Sequence, residues 1–370
     1  MNQPKVTVII VAYNAEGMKN IFKECLDSAL NLKYENYEVV VVNNGSTDRT
    51  REILEVYEKD LKIINLKKNI GFTGGNNIVY ENSKSDFVLL LNQDAIPEQD
   101  SLNELIKVGI SDNKIGALGG IQVDYKKRNV TGLGGLCDIY GNLIVPKDKV
   151  NINEVKESYY SCIPASYLLV RRKSIGNILF PKEFFAFFED VELCFRIWSR
   201  GYYVKLIPNI VCRHEFGTST RIASIRNIFI YRTLSYHSAK NITLLLSVYR
   251  KLLPNVYTLQ VLKYFLRLPI IELTYFPRYL LHKTNSTFVG TYYPLKGLTY
   301  VKYSMKKLST INEYGTYVPL LLKIKNSRKF LFNPLNTAFN SLAPIKLDYE
   351  KMIVNDDEIA RSTRKFIITK

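Results

Sequence analysis

The chain predicts an α/β fold: an open sheet with helices on its faces, followed by a basic, largely helical extension. Short β-branched runs alternate with helix-length amphipathic segments over the first 220 residues, the order that builds parallel strands joined by right-handed crossovers. Polar clusters stand directly after those runs. The charge is divided unevenly along the chain, which separates a neutral first module from a cationic second one.

Each element has its own signal. Val6–Ala12 is a continuous apolar run, as a strand buried on both faces requires. Met18–Leu30 carries Ile21, Phe22, Cys25, Leu26 and Ala29 at helical spacing. Tyr37–Val42 is a second strand, and Asp48 opens a helix holding Ile53, Leu54 and Tyr57. Leu61–Leu66 and Phe87–Leu91 are the third and fourth strands, and Tyr167–Val170 is a later one. Gly116 to Gly120 and Gly132 to Gly135 punctuate the region between. The polar clusters are Tyr13-Asn14, Asn43 to Asp48, Asn69 to Asn77 and Asn92 to Asp94. An open α/β sheet places its ligand beyond the carboxyl ends of its strands, where these clusters fall.

With 46% hydrophobic residues the chain is too apolar to be disordered. Its net charge is +17. Residues 1–220 hold 27 basic and 27 acidic side chains, whereas residues 221–340 hold 18 Lys and Arg against Glu272 and Glu313 alone. Residues 341–370 form a nearly balanced tail. In the middle region, apolar helices over Leu244–Leu253, Val256–Leu268 and Ile270–Leu281 are broken by Arg250, Lys251, Lys263, Arg267 and Arg278. No uncharged run reaches the roughly 18 residues of a spanning helix. Apolar helices edged with cations suit an anionic membrane surface; the alternative is a second packed helical domain with a basic exterior. Five scattered cysteines without disulfide spacing fit a reducing compartment. Val6–Ala12 is too short to be a signal or a span. The expectation is a cytoplasmic protein, peripheral on the inner face of the cell membrane. A cationic, Tyr-rich segment could also grip nucleic-acid phosphates, but no nucleic-acid-binding motif is present and no such partner is expected.

Four places could carry chemistry. Asp94 closes a buried strand, where a carboxylate can hold Mg²⁺ or Mn²⁺; a helix cap is the simpler role for it. Glu189-Asp190-Val191-Glu192 follows Phe184, Phe185, Phe187 and Phe188. Glu192 can pair with Arg196 one turn on. Asp190, behind an aromatic cluster that raises a carboxyl pKa, is the candidate general base. His214 ends a strand-like segment and is a candidate metal or diphosphate contact. Asn69 to Asn77 reads as a phosphate-cradling loop whose glycines admit close backbone approach.

Together these segments resemble the family 2 inverting glycosyltransferases. The similarity runs in order through VTVIIVAYN (Val6–Asn14), VVVVNNGSTD (Val39–Asp48), NIGFTGGNN (Asn69–Asn77), LLLNQDAIP (Leu89–Pro97), FFAFFEDVELCFRIWSRGY (Phe184–Tyr202) and His214. The NxGFxGGNN and Asn-x-Asp forms look most like the rhamnosyltransferase branch. The resemblance implies a GT-A fold, a Rossmann-like nucleotide-binding mixed sheet, over residues 1–220. It implies a donor such as dTDP-rhamnose and, as acceptor, a hydroxyl of a glycan or polyprenyl-linked glycan. Tyr13, Asn14, Asn43, Asn44 and Asp48 would hold the nucleoside. Asn69, Gly71, Phe72, Gly75, Asn76 and Asn92 would line the rest of the nucleotide sugar. Asp94 and His214 would bind a divalent metal, Mg²⁺ or Mn²⁺, and Asp190 would deprotonate the acceptor. Glu189, Ser166 and Trp198 would stand on the acceptor side or directly behind the residues that do. The chain departs from the family at Asn92, often Asp, which leaves one carboxylate for the metal. It departs also at Asn43, at Glu192, and at Pro164-Ala165-Ser166, where relatives usually have Gly-Ala. A catalytically inactive scaffold of the same fold is the rival reading.

Overall fold

The computed structural model describes residues 3–126, 129–138, 143–146, 150–182 and 184–214, together with Leu252, 321–322 and 345–347. The expected helices of the cationic region lie outside these residues.

The strands are β1 (Val6–Ala12), β2 (Tyr37–Asn43), β3 (Lys62–Asn65), β4 (Phe87–Asn92), β5 (Ile96–Pro97), β6 (Ile115–Val123) and β7 (Val130–Gly132). They continue with β8 (Leu136–Asp138), β9 (Leu143–Pro146), β10 (Ser158–Tyr159), β11 (Tyr167–Arg171), β12 (Tyr203–Arg213), β13 (Leu321–Leu322) and β14 (Ile345–Leu347). The helices are α1 (Lys19–Leu30), α2 (Thr50–Glu55), α3 (Gly71–Asn82), α4 (Ser101–Ser111), α5 (Arg172–Ile175) and α6 (Glu189–Ser199).

The main sheet runs in the order β10-β12-β6-β11-β4-β1-β2-β3, with β5 on β12 and β7 on β6. β3, β2, β1 and β4 are mutually parallel. The alternation of strands and helices predicts this parallel part, and the sheet as a whole is mixed, as the family resemblance implies. β11 lies antiparallel between β4 and β6, because no helical crossover leads into it, so the sheet is mixed. β12 returns parallel to β6. The sheet is apolar on both faces: β1, β6 and most of β4 are buried along their lengths. Alternate residues of each strand feed two cores. Ile9, Val42, Leu90 and Leu168 join Trp198 and Phe195 on one side, while Val8, Ile10, Leu89 and Tyr167 join Phe22 and Leu105 on the other.

This topology brings six chain ends to one edge. The carboxyl ends of β1, β2, β4, β6 and β12 lie together, and β11, being reversed, brings its amino end there. A second, four-stranded sheet in the order β13-β8-β9-β14 ties the β8–β9 hairpin to two late segments of the chain. All five cysteines are buried and free. Among the described residues no helix is long and apolar enough to cross a membrane.

Candidate active site

The first wall of the crevice is built by the ends of β1 and β2. Asn14 takes a left-handed conformation (φ 50°), which turns the chain sharply after the strand. Its N–H donates to Ser46 Oγ (3.1 Å), and its Oδ1 accepts from the Thr47 N–H (2.9 Å). Tyr13 is half-buried beside it. Asp48 accepts from the Glu16 N–H (3.0 Å) and from both the N–H and hydroxyl of Thr50 (3.0 and 2.5 Å). Its carboxylate therefore binds the two loops to each other and caps α2, which starts two residues later than the sequence suggests. Asn43 and Asn44 are buried and also engaged. Asn43 donates to Asn65 Oδ1 (2.9 Å). Asn44 donates to Asn69 Oδ1 (3.0 Å) and the Gly71 carbonyl (3.1 Å), while its own Oδ1 accepts from the Ile70 N–H (3.0 Å). These asparagines fix the shape of the nucleotide side of the crevice.

The segment Asn69–Asn77 is not a loop. From Gly71 it is the first turns of α3, so only Asn69 and Ile70 remain as connection. The glycines serve packing: Gly71 has φ 84°, and a Cβ on it would stand 2.5 Å from the Phe185 carbonyl oxygen. Gly75 lies against Val11 of β1. Asn76 bonds back to the Phe72 carbonyl within the helix (2.8 Å), and half-buried Phe72 packs on Phe180. Helix and aromatic segment meet through the Thr73 N–H, which donates to the Phe185 carbonyl (3.1 Å).

The second wall holds Asn92, Asp94 and His214. His214 Nε2 lies 3.4 Å from Asp94 Oδ1 and 3.5 Å from Asn92 Nδ2, and its Nδ1 lies 2.9 Å from Gln122 Oε1. Asp94, His214 and Gln122 are all buried. The backbone holds the histidine as firmly: its N–H donates to the Val123 carbonyl (2.7 Å), and Thr131 Oγ1 donates to its carbonyl (2.6 Å). One carboxylate oxygen and one imidazole nitrogen at this separation suit a divalent ion. Among the described residues no cluster of three or more His, Cys, Asp and Glu could hold a metal. The remaining positions on an ion would fall to water or to diphosphate oxygens.

The third wall is the start of α6. Phe185, Phe187 and Phe188 all have positive φ (42°, 74° and 63°), a costly run for residues with a Cβ. It delivers Glu189 and Asp190 into the first turn of the helix. Asp190 is half-buried, and burial pushes its carboxyl up, with backbone bonds from Val191 and Ala165 pulling it back. Val191 N–H donates to its Oδ1 at 2.8 Å. Glu189 is pushed well above the ordinary range, by burial first and the neighbouring Asp190 charge second. Its Oε2 is buried with no hydrogen-bond partner among the described residues. Ala165 thus touches Asp190, while Ser166 donates from Oγ to Gln122 Oε1 (2.9 Å) and from its carbonyl accepts the Asn92 N–H (3.0 Å). Two adjacent residues link the carboxylate of α6 to the Asp94–His214 pair.

The acceptor-side candidates stand at different depths. Trp198 is wholly buried and donates from Nε1 to the Tyr160 carbonyl (3.0 Å), behind the first turn of α6 that carries Asp190. Ser166 faces Gln122 on the metal side. Glu192 pairs with Arg196, as its spacing suggests, through two bonds of 3.0 and 3.1 Å at zero exposure. Gln93 and Gln122 were not singled out from the sequence. Gln93 brackets the backbone of Tyr13, accepting its N–H (2.8 Å) and donating to its carbonyl (3.3 Å). Each ends an apolar run, Gln93 beside Asn92 and Gln122 alone, which is the signal the sequence offers.

The family model for Glycosyl transferase family 2 matches residues 7–176. A protein of Haemophilus influenzae, named as an uncharacterized glycosyltransferase, is 27% identical over 236 residues, 61% of this chain and 82% of its own length. The poly-β-1,6-N-acetyl-D-glucosamine synthase of Staphylococcus aureus is 23% identical over 209 residues, and the chain spans about half of it (49%). Among solved structures, GalNAc-T7 with UDP, GalNAc and Mn²⁺ gives a TM-score of 0.46 at 14% identity, covering 58% of this chain and 44% of that one. The family match spans β1 through α5, the stretch whose strand ends build most of the crevice, and over that stretch the chain is similar to family 2 glycosyltransferases.

Proposed function

We propose that the protein is an inverting glycosyltransferase that moves a sugar from a nucleoside-diphosphate donor, dTDP-rhamnose or a related one, to a hydroxyl of a glycan or lipid-linked glycan. The observation that carries this reading is the bridge at Ala165-Ser166. It holds a carboxylate of raised proton affinity next to a carboxylate–imidazole pair at one sheet edge.

Asp190 is the base. Burial destabilises its charged form, which is what a group that must accept a proton near neutrality needs. It takes the acceptor proton as the acceptor oxygen attacks the anomeric carbon from the face opposite the diphosphate. Asp94 and His214 would hold a divalent cation, which would supply positive charge against the departing diphosphate. Asn92 offers that side an amide donor where a second carboxylate would add charge. The positive end of α6 helps keep Asp190 from holding a proton permanently. Residues 221–340, with 18 basic side chains, would keep the enzyme at an anionic membrane beside its acceptor; failure of the full chain to bind phosphatidylglycerol vesicles at moderate salt refutes that part.

The test is a donor screen by nucleotide release. Purified protein with Mn²⁺ or Mg²⁺ meets UDP-, GDP- and dTDP-sugars, UDP-GlcNAc included, in the presence of membrane extract. Metal-dependent release of one nucleoside diphosphate, reduced at least ~100-fold in Asp190→Asn, is the expected result. Equal release by Asp190→Asn, or no release and no nucleotide binding by calorimetry, overturns the reading.

A further inference from the structure

We propose that Gln122 is a positioning residue that sets the tautomer of His214 and thereby makes the Asp94–His214 pair competent to hold a metal ion; this rests on the metal site of the proposed function. A neutral imidazole carries its proton on one nitrogen and a lone pair on the other, and whatever faces each nitrogen decides which. Gln122 Oε1 stands 2.9 Å from Nδ1, so that nitrogen must carry the proton and donate. Asn92 Nδ2, a donor, stands 3.5 Å from Nε2, where a lone pair is wanted. Both neighbours select the same form, and the lone pair of Nε2 is left beside Asp94 Oδ1 at 3.4 Å.

Without an ion between them, a lone pair and a carboxylate oxygen at that distance repel. Left to itself, the imidazole would turn its proton to Nε2 and donate to Asp94, which would occupy both groups and close the site. Gln122 prevents this. Its carbonyl is held in turn, since Ser166 Oγ donates to the same oxygen at 2.9 Å. Gln122 is 3% exposed, at the end of β6 next to the residue whose carbonyl takes the His214 N–H. A rotation of its amide would reverse the Ser166 bond and set its NH₂ against the N–H of Nδ1. Ligating histidines are ordinarily held this way, by an acceptor on the nitrogen that does not touch the metal. Here the acceptor is a neutral amide, so it orients the ring without adding a charge that would compete with Asp94.

The experiment compares full-length wild type, Gln122→Leu and Gln122→Glu, with near-ultraviolet circular dichroism to follow packing. The tautomer is read without metal, from the imidazole ¹⁵N shifts of His214, assigned by loss of the signal in His214→Asn. Mn²⁺ affinity is read by electron paramagnetic resonance with UDP, GDP and dTDP each present in turn. Wild type is expected to show the Nδ1–H form and Gln122→Leu the Nε2–H form, with Mn²⁺ affinity about 10- to 100-fold weaker in the latter. Gln122→Glu keeps an acceptor against Nδ1 and is expected to retain both the tautomer and the affinity. If Gln122→Leu unfolds, Gln122→Glu against Gln122→Lys decides, because lysine offers only donors to Nδ1. An Nε2–H ring in wild type, or the same tautomer and affinity in the leucine or lysine variant, overturns the role of Gln122. Wild type with the Nδ1–H ring and no Mn²⁺ binding under any nucleotide overturns the metal site itself and leaves the tautomer assignment standing.

Discussion

Arg196 is the residue whose loss should cost the fold most for a single side chain. It is fully buried in α6 and makes two bonds to Glu192, of 3.0 and 3.1 Å. Its remaining N–H groups donate to the Ile175 (2.9 Å), Ile178 (2.6 Å) and Leu179 (2.6 Å) carbonyls. Arg196→Ala therefore strands a carboxylate at zero exposure and takes the donor away from three carbonyls of the turn after α5. Breaking one side of a buried, hydrogen-bonded ion pair costs about 3–5 kcal/mol. For a domain of this size that corresponds to a melting temperature lower by roughly 6–20 °C. The chain has a single tryptophan, Trp198, buried two residues along the same helix, so its fluorescence in a urea titration reports this region directly. Glu192→Gln with Arg196→Met removes both charges and should recover at least ~2 kcal/mol of the loss in Arg196→Ala. A loss below ~1 kcal/mol in Arg196→Ala, or a double variant no better than the single one, would refute the reasoning.

Two further outcomes follow from the aromatic wall. Gly71→Ala places a Cβ at positive φ and 2.5 Å from the Phe185 carbonyl, so stability should fall by about 1–3 kcal/mol in chemical denaturation; a loss below ~0.5 kcal/mol contradicts the close contact. Glu189 binds its proton more tightly folded than unfolded, so the folded state holds more protons between the ordinary carboxyl range and its raised value. Stability contributed there is present at acid pH and declines as pH rises through that window. Glu189→Gln should flatten this decline in urea midpoints measured between pH 5 and 8, and an unchanged slope rules the buried acid out.

Much of the fold was legible because burial on both faces leaves a strong mark. Val6–Ala12 and Phe87–Leu91 could hardly be anything but interior strands, and the structure extends the second by a single residue. The reversal of β11 was not legible, since Tyr167–Arg171 reads the same in either direction and its orientation depends on the segments before it. Asn69–Asn77 misled because glycines suggest a loop, whereas here they let a helix approach Val11 and Phe185 closely. The pair Asp94–His214 could be named from the motif order but not measured, and Gln122 became visible only when β6 and β12 aligned. Trp198 faces the sheet because α6 packs on it, which its distance from the carboxylates at the start of the helix does not reveal.

The small sheet imposes an order on synthesis. The main sheet can close once the ribosome has passed Arg213, but β9 waits for Ile345–Leu347, about 200 residues downstream of its partner. At translation rates of 5–20 residues per second, roughly 7 to 27 s separate the two events. Until Leu321–Leu322 is made the hairpin of β8 and β9 presents two open edges, and after that the β9 edge alone, each a template for pairing with another nascent chain. The catalytic half of the molecule can thus be finished, and its hairpin still exposed, while the cationic half is being made.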